Sequence, residues 1–168
     1  MQQNLNWSLI IPTFLAILQT VLYLIAAVVL LKRTKLIKSP IVGIETSAAM
    51  AAGVILFGIL LISCSSIESL FRSFIFQNGV QVYSFESVFS RFGQFFFVTI
   101  CSQLVFLFIT WYISNMFIEG GSILEETRTG NISMSVLFGS IAVGISICCF
   151  MISKNVCDLI VPTTLNFR

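Results

Sequence analysis

Gln19 and Gln103 each lie near the middle of a long apolar stretch that contains no Asp, Glu, Lys or Arg. An amide at such a depth must find a partner or forgo roughly 1–2 kcal/mol of interhelical hydrogen bonding. Two uses suit the pair. They can form a polar constriction lining a path, with Thr20, Thr99 and Thr110 alongside, or act as clamps between helices across a pseudo-twofold axis. No carboxylate shares those stretches, so proton coupling lacks its usual carrier.

Other chemistry is hard to assemble. The chain has no histidine, which removes the commonest general base and zinc ligand and the usual pH switch. Cys64, Cys101, Cys148, Cys149 and Cys157 include no C-x-x-C, so neither a thiol oxidase nor a metal centre has its frame. Cys64 and Cys157 fall near one rim and could bridge in an oxidising compartment; the alternative is that they are small buried hydrophobes. Glu45, Glu125 and Glu126 stand where segments begin, a place where carboxylates meet the positive end of a helix dipole. Acyl transfer, redox and metal hydrolysis each lack a recognisable set of groups, so the expectation is a noncatalytic protein without a cofactor.

The elements that position these residues follow from composition. Of 168 residues, 57% are apolar and 10% charged, against about a quarter charged in ordinary soluble domains. Nine Lys+Arg against seven Asp+Glu give no basic excess to track a phosphate backbone, so nucleic acid is not an expected partner. Residues 9–31, 46–66, 92–117 and 132–153 are uncharged and long enough to cross a hydrocarbon core of about 30 Å as helices. The expected fold is therefore an all-α integral membrane protein with four transmembrane helices in a lipid bilayer. The first stretch is too long for a signal-peptide core and no positive charge precedes it, so it is expected to remain in the chain.

Lys32, Arg33, Lys35 and Lys38 crowd the segment after the first span, and such clusters are retained on the cytoplasmic side, which places both termini outside. Trp7, Trp111 and Tyr112 suit the interfacial belts. The second inner loop carries Glu119, Glu125 and Glu126 against Arg128, so the two inner loops are opposite in charge and can either pair or stand solvated.

Sliding the second half on the first by 86 residues sets Gly139 on Gly53, Gly144 on Gly58 and Ser135 on Ala49, and a separate offset of 84 for the odd helices sets Gln103 on Gln19. This predicts two parallel two-helix repeats, residues 1–66 and 92–168. Between them, residues 67–91 read as an outer helical hairpin, with Asn78-Gly79 turning the chain, Ser84 as an N-cap and phenylalanines for the interface. Ala49 with Gly53, and Ser140 with Gly144, have the small-xxx-small spacing that favours helix packing in lipid. Ser135 and Gly139 continue a small-residue face shared with Ala142, Ser146 and Cys149.

Glu125, Glu126, Gly130 and Asn131, leading into Ser135, Gly139 and Gly144, make the chain similar to the YjfL family, small bacterial inner-membrane proteins in which a two-helix unit is doubled. The likeness is clearest over residues 36–66 and 125–153, although Ile44-Glu45 replaces the Gly-Asn step in the first half. The resemblance implies a doubled membrane fold in a bacterial inner membrane and brings no reaction with it. Two functions remain expected. One is a membrane component that forms a homo-oligomer or binds a protein partner at its inner loops or outer hairpin; the other is a small channel or permeation subunit with a path near Gln19 and Gln103.

Overall fold

A computed structural model describes residues 2–33, 46–75, 85–117 and 122–161. Among them are five helices in chain order, α1 (Gln2–Arg33), α2 (Thr46–Ile75), α3 (Phe85–Met116), α4 (Ile123–Arg128) and α5 (Ile132–Ile160), and no strand. Four of these contain segments long and apolar enough to cross a membrane: Thr13–Arg33, Thr46–Ser73, Phe89–Met116 and Ile132–Ile160.

Burial is inverted relative to a soluble bundle. Phe14, Ile17, Phe97, Leu104, Phe108 and Met151 are exposed, whereas Gln19, Ser66, Thr99, Gln103, Ser146 and Ser153 are buried. Hydrocarbon outside and hydroxyls inside is the arrangement lipid selects, because a hydroxyl facing tails finds no partner beyond its own helix while an aliphatic side chain loses nothing there.

The helices end later than apolarity alone predicts. Residues 67–75 continue α2, and residues 85–91 belong to α3, rather than forming arms of a separate hairpin. The charges that follow residue 66 fit on the helix surface. Glu68 and Arg72 pair one turn apart on the exposed face, while Ser69, Leu70 and Ser73 stay buried on the other. Asn78-Gly79 and Ser84 lie outside the described residues, as do Lys35, Lys38, Glu45 and Glu119.

α2 and α5 form the central pair and run parallel, as Ser47 bonding to the α4 turn ahead of α5 and Ser65 bonding to Ser153 require. α1 packs chiefly on α2. α3 packs on both central helices, and no comparable contact joins α1 to α5 among the described residues. The packing is thus not the same in the two halves, although both central helices point the same way.

α4 is an addition to the expected four helices. It carries Glu125 and Glu126 in its first turn and lies across the start of α2, where Ser47 Oγ donates to Thr127 O at 2.7 Å. The chain then reverses at Gly130, whose φ of 91° favours a residue without Cβ. Asn131 caps α5, its Oδ1 accepting from the Met134 amide at 3.2 Å.

Candidate functional site

A buried polar layer crosses the long helices: Gln19 of α1 bonds to Ser66 of α2, the adjacent Ser65 bonds to Ser153 of α5, and Thr99 of α3 is buried as well. On three of them the layer is spaced by a helical turn from apolar packing on both sides. Leu15, Gln19 and Tyr23 follow one another at four-residue steps, as do Ile62, Ser66 and Leu70, and Cys149, Ser153 and Cys157. The layer therefore separates a large apolar cluster around Ile62, Phe106 and Cys149 from a smaller one around Leu70, Phe95 and Cys157.

Both glutamines are held by α2. Gln19 Nε2 donates to Ser66 Oγ at 2.8 Å and to Tyr23 Oη at 3.2 Å. Tyr23 Oη donates onward to Phe96 O at 3.1 Å, so the chain of bonds crosses from α1 to both α2 and α3. Gln103 Nε2 donates to Ser63 Oγ at 3.0 Å and to Ile59 O at 3.3 Å. The two amides do not meet each other across an axis: they bind positions three residues apart on the same helix. Gln19 Oε1 is buried without a partner. The threonines grouped with them are mostly occupied by their own helices, Thr20 donating to Ala16 O and Thr99 to Phe95 O, while Thr110 Oγ1 is buried without a partner.

Sequence reasoning passed over the serines of α2. Ser65 Oγ lies 2.8 Å from Ser153 Oγ, and Ser69 Oγ donates to Asp158 Oδ1 at 2.7 Å, fastening α2 to α5 at two points about one turn apart. Ser66, Ser69 and Ser73 recur at helical spacing, which was the available signal. Past them, Lys154 Nζ reaches Glu68 Oε2 at 3.0 Å and Arg91 donates to Ser73 O at 2.9 Å, so charged groups close this end of the bundle.

The small residues divide into two sets. Gly58 lies against Phe106: a Cβ there would come within 2.5 Å of the ring. Gly139 faces Val54, and Ser135 is buried with Ala142 and Ser146 on the same α5 face. Ala49, Gly53, Ser140 and Gly144 are exposed, and a Cβ on Gly53 or Gly144 would meet nothing. All five cysteines are free thiols, with Cys64 exposed and Cys157 buried, so the expected bridge between them is not formed.

A groove of about 210 Å³ opens between α1 and α3, floored by Ile59 of α2. Its walls are apolar apart from Gln103 and Tyr23, and the Tyr23 and Phe96 rings stack at 5.2 Å toward one end. Lys32 and Arg33 are exposed at the end of α1, and Glu125 is exposed on α4 with Glu126 half-buried beside Asn131. No family model, curated protein or solved structure matches this chain.

Proposed function

We propose that this chain is a noncatalytic multi-pass membrane component that assembles with further copies of itself through the small residues left on its lipid-facing surface. The observation that carries the reading is the open space over Gly53 and Gly144, with Ala49 and Ser140 exposed one turn earlier on the same helices. In lipid there is no hydrophobic drive between helices, so close backbone approach over small residues is a main source of association. Within the chain the space over Gly58 and Gly139 is filled by the Phe106 and Val54 side chains, and the space over Gly53 and Gly144 remains open.

Placement in a bacterial inner membrane, membership of the YjfL family, a doubled two-helix origin and termini on the outside belong to the same proposal. The parallel course of α2 and α5 supports the doubled unit, and exposed Lys32 and Arg33 support the orientation. The permeation reading has weaker support, because Gln19 and Gln103 spend their donors on α2.

Subunit counting by photobleaching in bilayers of native chain beside Gly53→Leu and Gly144→Leu tests the proposal. Native assemblies of two or more, reduced by either variant at unchanged helicity, are expected. A native chain that counts as one subunit overturns it.

A further inference from the structure

We propose that the groove between α1 and α3 seats one acyl chain of an anionic phospholipid whose phosphate is met by Lys32 and Arg33. The inference rests on the membrane placement of the helices and not on self-association. Its wall on α1 runs through Leu22, Ala26 and Leu30, spaced by four residues, and Arg33 follows three residues later on the same face. The apolar stripe thus leads directly to a cation, with Lys32 beside it in the last turn.

The ion pairs among the described residues use Glu68, Arg72 and Lys154, at the opposite end of the bundle, so neither Lys32 nor Arg33 has a carboxylate partner there. Two exposed cations with no carboxylate partner among the described residues, at the mouth of an apolar groove between transmembrane helices, complement a phosphate that is tethered to a hydrocarbon tail.

The dimensions choose the occupant. From Leu22 to Leu30 the wall extends about 12 Å at about 1.5 Å per residue. A groove of that length, open along its side and lined almost wholly by apolar side chains, suits an alkyl chain lying along α1. A helix about 10–12 Å across from a second protein does not fit. Water does not suit it either, since apolar walls offer few of the partners an ordered water needs.

The test is native mass spectrometry of the full chain released from detergent, with dioleoyl phosphatidylglycerol or dioleoyl phosphatidylcholine added, and inorganic phosphate as competitor. The native chain is expected to retain one phosphatidylglycerol per subunit about tenfold more strongly than phosphatidylcholine. Lys32→Gln/Arg33→Gln should remove that preference, Lys32→Arg/Arg33→Lys should keep it, and inorganic phosphate should not displace the lipid. Ala26→Trp and, from the opposite wall, Leu104→Trp should weaken both lipids by filling the groove; both positions are exposed, so the core is untouched. Equal retention of the two lipids by the native chain, a preference that survives the double Gln variant, or displacement by phosphate overturns the headgroup assignment. Unchanged binding in both Trp variants overturns the groove. Subunit number appears in the same spectra, so a failure of self-association is read separately.

Discussion

Gln19 Nε2 of α1 donates to Ser66 Oγ of α2 across 2.8 Å, with both residues buried. Ser66 Oγ donates in turn to Ser63 O at 3.1 Å, so the amide completes a hydroxyl already engaged with its own helix. The arrangement is that of a clamp: it holds α1 to α2 and leaves the amide donor nothing to offer a passing solute.

Removing either end of this clamp should therefore be mild when the partner can remain satisfied and worse when it cannot. Gln19→Leu is expected to cost about 1 kcal/mol or less, since Ser66 and Tyr23 keep their carbonyl acceptors. Ser66→Ala leaves the buried Gln19 amide with Tyr23 alone and should cost more, about 1–3 kcal/mol. In unfolding by denaturing detergent, the double variant should lose less than the sum of the two singles; simple additivity would show that the bond contributes nothing.

Gly58 and Gly53 should respond in opposite ways to the same change. Gly58→Ala drives a Cβ into the Phe106 ring, which is itself fully buried, and is expected to destabilise by about 1–3 kcal/mol. Gly53→Ala meets open space and should be neutral or slightly stabilising in the same unfolding assay. Equal losses at the two sites would contradict the packing.

Flux through liposomes separates the clamp from a permeation path. The native protein and the Gln19→Leu/Gln103→Leu variant, compared at matched helicity and subunit number, are expected to carry equally little ion or small solute. A native flux that vanishes in the variant would restore the polar path.

At the turn into α5, Asn131→Ala is expected to cost about 1 kcal/mol by removing the cap on the Met134 amide. Hydrogen exchange should locate the effect, with faster exchange at Met134 and little change near Ser153. Uniform acceleration along α5 would mean that the cap governs more than the first turn.

Much of the fold is legible in the sequence because its signal is local. Long uncharged apolar runs dictate four helices, since a backbone in hydrocarbon must bond to itself. Small residues and glutamines inside those runs announce contact between helices. The same local rule misplaced the end of the second span, because Glu68 and Arg72 look like a boundary until they are seen paired on one exposed face with Ser69 and Leu70 buried on the other.

Which contacts form is a different matter. The sequence by itself determined that Gln19 and Gln103 need partners, but only the tertiary structure decided that both find them on α2, at Ser66 and Ser63. It also decided that Gly58 and Gly139 are spent within the chain while Gly53 and Gly144 stay open. The physical reason is rotational: apolar residues surround each helix on all sides, so hydrophobicity does not mark an inward face. That face is set by where the hydroxyls of α2 can meet donors and acceptors on three other helices at once, a condition distributed over the whole chain.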